Sequence, residues 1–242
     1  MEKITKKDIE WLLNLHKEES PESKPAGDKS ASKKILLKAA IAGAGLFALV
    51  ILPFFLLVRT SVFLNLAFGL PGWLSLGGGI AATVLLLMVY IILLSRNIQN
   101  KQLFLKFSLG GITVTVLGFC LFSLFYLSGV NAKSSEVRDL YRSMHPVLRV
   151  AVSVVTLADG DLVITDIERI PDDYETMSLP VNPNSLHYRQ ESGYVHAVDL
   201  RTLNRGLIRN ALLRGSLELM GFHTLRHTGT ADHLHVEMRM VN

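Results

Sequence analysis

Seven of the chain's eight histidines fall after residue 131, and their spacing decides what chemistry they can do. In His233-Leu234-His235-Val236-Glu237 the alternate side chains of a strand share one face. His233, His235 and Glu237 then point together, while Leu234 and Val236 face an apolar layer. Two imidazoles on one side can approach one ion. One of them, joined by an Asp and a further His, would make a three-donor zinc site with the fourth tetrahedral position left for water. Two upstream segments offer those donors: Ser185-Leu186-His187-Tyr188 and His196-Ala197-Val198-Asp199-Leu200. The single cysteine, Cys120, lies in an apolar run and excludes both an intrachain disulfide framework and a Cys-rich zinc site. Any metal site must be built from His and carboxylate.

Taken in chain order, Ser185-Leu186-His187-Tyr188, Ala197-Val198-Asp199-Leu200 and Asp232-His233-Leu234-His235-Val236 resemble the LAS family of zinc metallopeptidases, named for lysostaphin, D-Ala-D-Ala carboxypeptidases and the hedgehog signalling domain. The resemblance covers about residues 160–240, and Val195 stands where the family's second segment has Gly. It implies Zn2+ held by His187, Asp199 and His235, with His233 as the neighbouring catalytic histidine. It also implies that Arg169 grips a substrate carboxylate, with a surface salt bridge as the alternative, and that Ser185 lies at the substrate site. Eleven residues separate His187 from Asp199, more than the family's usual interval, and the insertion brings His196 forward as an alternative ligand. Alternation along the strand aims His196 away from Asp199, which favours His187. Carboxypeptidases of the group often carry a Glu general base where this chain has Asp232. Proton transfer therefore falls to His233 or Asp232, with His227 behind them. Glu237 is either a further base or a salt-bridge partner, and His145 and His223 read as structural or solvated.

The elements that must position these residues follow from the charge pattern. Residues 1–34 hold 8 Lys/Arg and 7 Asp/Glu, residues 35–130 hold 5 and 0, and residues 131–242 hold 12 and 14. A run of 96 residues without a carboxylate cannot be a water-solvated globular domain. About 20 apolar residues span a bilayer core, and three stretches reach that length: Ala39 to Val58, Leu74 to Leu94 and Phe107 to Val130. The predicted fold class is a membrane α-helical anchor of three transmembrane helices plus a small α+β domain whose antiparallel sheet carries the metal site. Residues 1–34 form a cytoplasmic tail, with a short amphipathic helix from Thr5 to His16 and a linker from Glu19 to Ser32; residues 35–130 form the anchor and residues 131–242 the domain. Within the domain, Ser135 to Met144 reads as a helix ended by His145-Pro146. Val147 to Thr156 and Leu162 to Glu168 read as a β-hairpin, Val195 to Leu200 as a strand, Leu203 to Met220 as a helix closed by Gly221, and His233 to Met240 as the last strand.

Lys33, Lys34 and Lys38 precede the first span, and Arg96, Lys101 and Lys106 separate the second from the third, so both segments are expected in the cytoplasm. The chain after Asn131 then lies outside it, periplasmic or extracellular, on a bacterial inner membrane. The domain's net charge of −2 excludes a basic nucleic-acid-binding face. Expected partners are the lipid bilayer, a peptidoglycan peptide substrate, and a cytoplasmic partner for the N-terminal tail. The expected activity is carboxypeptidase or endopeptidase cleavage of peptidoglycan peptides. The alternative is a zinc-containing binding or sensing module for wall fragments that has lost hydrolysis.

Overall fold

The computed structural model describes residues 6, 7, 9–11, 29–95, 98–176, 180–229 and 232–239. The chain divides into two compact units, residues 1–48 and 49–242. In the first, residues 6, 7 and 9–11 are helical, and the rest of the expected amphipathic helix lies outside the described residues. The expected linker is shorter than its composition implies, because helix α1 begins at Lys29 and runs unbroken to Phe68 through Pro53.

Three helices are long and apolar enough to cross a membrane: α1 (Lys29–Phe68), α2 (Gly72–Leu94) and α3 (Lys101–Phe125). Helix α1 extends past the stretch read from hydropathy at both ends, and α2 starts two residues earlier than expected; α3 starts earlier, at Lys101, but ends at Phe125 rather than Val130, because the backbone turns extended at Tyr126. Pro71 precedes the first residue of α2, and the Asn100 side chain accepts from the Leu103 amide to cap α3. Helices α1 and α2 meet closely at Gly79. A Cβ there would press on the Ser61 hydroxyl and the Leu57 carbonyl, which already hydrogen-bond each other at 2.8 Å.

After α3 come α4 (Ser135–Asp139), a 3₁₀ turn (Leu140–Ser143) and α5 (Pro146–Ala158). Helix α5 overturns the expected hairpin. Its five valines favour a strand by propensity, but Pro146 at the first helical position presets φ for a helix. Every residue from Pro146 to Val155 is buried. A helix apolar on all sides belongs inside a core, and tertiary packing here overrides a preference that spans only about 1 kcal/mol. Helix α5 packs against α2 and α3 and also against α7 (Leu207–Met220). Its one charged side chain, Arg149, donates to the Leu124 carbonyl at 2.8 Å, satisfying an orphan group at the C-terminal end of α3. The guanidinium also lies over the rings of Trp73 and Tyr194.

The remaining elements are β1 (Ile164–Asp166), α6 (Pro171–Thr176), β2 (Ala197–Arg201), β3 (His223–His227) and β4 (His233–Glu237). The four strands form an antiparallel sheet in the order β1-β2-β4-β3. Strand β3 was not expected from the sequence. Helix α7 ends as predicted at Gly221, whose φ of 103° closes it in the left-handed conformation. Ile164, Val198, Leu200, Leu234 and Val236 are fully or almost fully buried in the same apolar core as α5 and α7, which leaves the alternate residues of β2 and β4 on the opposite face.

Gly79→Ala should overpack the α1–α2 contact, because the obstructing Leu57 carbonyl is backbone and cannot swing away. A loss of about 1–3 kcal/mol is expected, measured as a lower unfolding midpoint of the detergent-solubilised chain.

Candidate metal centre

Strand register assembles the site. Asp199 on β2 stands opposite His235 on β4, Arg201 opposite His233, and His233 opposite His227 on β3. The turn before β2 brings in His187, which is 1% exposed. His187, Asp199 and His235 form a cluster able to hold a metal ion. The facing atoms are His187 Nε2, His235 Nδ1 and Asp199 Oδ1, with edges of 3.2 Å between the imidazoles and 3.4 and 2.9 Å from each imidazole to the carboxylate. Bonds of roughly 2.0–2.1 Å around a tetrahedral ion put its donors about 3.3 Å apart, so the triangle is the right size.

Each donor is aimed by a partner behind it. His187 Nδ1 lies 2.7 Å from the Ile167 carbonyl, which can only accept, so that nitrogen carries the proton and Nε2 faces inward with its lone pair. His235 Nε2 lies 3.2 Å from a Glu237 carboxylate oxygen, turning Nδ1 inward by the same logic. Glu237 is itself held by His223 and Arg239. The second oxygen of Asp199 accepts from Arg169 at 2.6 Å, and Asp166 accepts from the Nε of that guanidinium. Three inward lone pairs around one point repel each other unless a cation or a proton sits among them.

The electrostatics follow from that arrangement. Burial alone would raise the Asp199 carboxyl, but a proton shared with His187 and His235 and the charge of Arg169 overcome it and hold Asp199 well below the ordinary carboxylate value. Burial would lower His235, yet its hydrogen bond to Asp199 raises it above the ordinary histidine value. His227 moves down, through burial and the adjacent His233, and is neutral near pH 7.

The other predicted residues sort by position. His233 Nε2 lies 3.6 Å from Asp199 Oδ2 at the rim, and His227 stacks on it with ring centroids 4.9 Å apart. His227 is the last residue of strand β3. His196 takes no part: it faces the opposite side of the sheet, packs on His145 and pairs with the Ser192 hydroxyl. Asp232 also stands apart, because the Nε and one terminal nitrogen of Arg226, together with the Thr202 hydroxyl, donate to its carboxylate and pull it down to about 2. A carboxylate so held is a poor base near neutrality. Ser185 is buried, accepting from the Tyr174 hydroxyl at 2.8 Å and the His187 amide at 3.3 Å, so it shapes the His187 turn. The Nε and one terminal nitrogen of Arg169 are spent inside the protein rather than held open for a substrate.

Sequence reasoning missed the Ile167 carbonyl, the His223–Glu237–His235 chain and the Arg169–Asp199 pair. Only the second had a legible signal, the alternation His223-Thr224-Leu225-Arg226-His227 after Gly221. Comparison with protein families, curated proteins and solved structures found no match to this chain.

Arg169→Met frees Asp199 Oδ2, so affinity for zinc should fall about 10- to 100-fold in a chelator-competition titration, whereas Asp232→Asn should leave it unchanged. In the metal-free protein Asp199 ionises more easily folded than unfolded. Its contribution is fully present above the unfolded value of about 4 and is lost as pH falls further. The unfolding midpoint should show this acid slope below about pH 4, and Asp199→Asn should flatten it.

Proposed function

We propose that this chain is a membrane-anchored zinc peptidase of LAS type that cleaves peptidoglycan peptides as a carboxypeptidase or endopeptidase. The observation that carries the proposal is the triangle of His187 Nε2, His235 Nδ1 and Asp199 Oδ1, sized for one tetrahedral ion and aimed by Ile167, Glu237 and Arg169. The same residues occupy the ligand places in the motif resemblance, which supplies the substrate class. Zinc is favoured by the donor set of two imidazoles and one carboxylate, and when bound it supplies the Lewis acidity that activates a water and polarises a scissile carbonyl.

The protein's own groups complete the chemistry. His233, part-exposed beside Asp199, is placed to move a proton or to donate to the developing oxyanion. His227, neutral and stacked on His233, is the next group in line to accept that proton. Three helices long and apolar enough to cross a membrane support membrane attachment. The lysines and arginines before the first helix and between the second and third favour a cytoplasmic N-terminus, with the domain periplasmic or extracellular on a bacterial inner membrane.

One observation favours a second reading. Asp232 and Glu237, the carboxylates nearest the site after Asp199 in sequence, are both ion-paired, so general-base work rests on imidazoles alone. If they do not suffice, the domain is a zinc-containing module that binds or senses wall fragments without cutting them.

The full chain in detergent, loaded with zinc and given purified muropeptides, should release free D-alanine or cut cross-links. His233→Ala should lower kcat about 10²- to 10⁴-fold while retaining zinc, and His235→Ala should lose both zinc and turnover. Tight muropeptide binding without any product would establish the second reading instead.

A further inference from the structure

We propose that a cleft at the C-terminal end of α3 binds the phosphate of a membrane phospholipid, with an amine-bearing head group preferred. The proposal rests on the membrane-spanning reading of α3 and is independent of the peptidase reading. A cavity of about 450 Å³ opens there, lined by Phe125, Tyr126, Leu127, Arg138, Asp139 and Arg142 among others. Arg138 and Arg142 sit one helical turn apart across the end of α4 and the following 3₁₀ turn, and both are exposed. Neither forms an ion pair among the described residues, whereas Arg205, Arg209 and Arg226 are each spent on a carboxylate. Arg142 lies over the Phe125 ring at 5.5 Å, which positions its guanidinium without neutralising it. Two guanidinium-bearing residues lining one cleft suit a phosphate, whose oxygens accept their paired donors.

Depth favours a lipid as the source of that phosphate. Helix α3 has 25 residues, about 38 Å at 1.5 Å per residue, longer than a hydrocarbon core of roughly 30 Å. With Lys101 and Lys106 on the cytoplasmic side, the stretch from Phe107 to Phe125 covers about 29 Å, so its last turn lies at the far edge of the hydrocarbon core, next to the head groups. Tyr126, 53% exposed, stands at that level, where tyrosine side chains mark the membrane interface. Asp139 places one negative charge in the same cleft. Two guanidinium groups and one carboxylate complement a phosphodiester carrying an ammonium, with the phosphate on Arg138 and Arg142 and the amine toward Asp139.

The test is native mass spectrometry of the delipidated full chain in detergent, titrated separately with short-chain phosphatidylethanolamine, short-chain phosphatidylglycerol and inorganic phosphate. One phosphatidylethanolamine should be retained per chain, and Arg138→Gln/Arg142→Gln should weaken it at least tenfold without changing zinc affinity. Arg138→Gln alone, at an exposed position, should weaken it severalfold and serves if the double variant does not fold. Asp139→Asn should bring phosphatidylglycerol level with phosphatidylethanolamine. Lipid retention unchanged in the arginine variants would overturn the site. Inorganic phosphate binding as tightly as lipid would overturn the membrane source, and equal retention of both lipids by the unaltered chain would overturn the role of Asp139. Because zinc affinity is read in parallel, loss of the metal centre and loss of the lipid site are separate results.

Discussion

A carboxylate buried in the middle of a sheet must be surrounded by positive charge or hydrogen-bond donors, and Asp199 imposes that requirement on everything around it. It is 2% exposed and stands between β1 and β4. An unpaired charge at such a place would cost several kcal/mol. Arg169 compensates one oxygen, and His187 and His235 converge on the other. The arrangement has a residual tension, because the imidazoles are each held by the group behind them in the orientation that turns a lone pair toward Asp199. One proton relieves it in the metal-free protein, and one divalent ion relieves it more completely. The β2–β4 register and the turn that carries His187 both serve this convergence.

The faces of Asp199 and His235, two members of the cluster able to hold a metal ion, were legible in the sequence because strand periodicity is rigid. Asp199 and His235 had to share a face with their neighbours two positions away, and Leu234 and Val236 had to turn inward. The distinction between His187 and His196 followed from the same parity. What stayed hidden depended on backbone groups and on partners far apart in the chain. No sequence pattern announces that the Ile167 carbonyl will fix a tautomer, or that Arg169 will close on Asp199 thirty positions later. Strand β3 escaped notice because its outward residues are His223, Leu225 and His227, a mixture without clear amphipathic contrast.

Helix α5 shows where propensity reasoning fails. Val147, Val150, Val152, Val154 and Val155 read as strand, and they would be strand on a half-buried surface. Here apolar neighbours cover the whole cylinder, so the choice was made by the long helices and α7 that enclose it. The same helix carries Arg149, which ties the end of α3 to the domain through the Leu124 carbonyl. Tyr141 adds a second tie, with its hydroxyl 2.5 Å from the Ser123 carbonyl. Together they fasten the sheet-bearing domain directly to the apolar helices instead of leaving it on a free tether.

X-ray absorption at the zinc edge of the full chain, reconstituted with one equivalent of zinc, tests the convergence on Asp199 most directly. A first shell of nitrogen and oxygen at about 2.0–2.1 Å is expected, with the multiple-scattering pattern of two imidazoles, reduced to one in His187→Ala. Failure to retain as much as about a tenth of an equivalent, or a shell of water oxygens without imidazole, would contradict it.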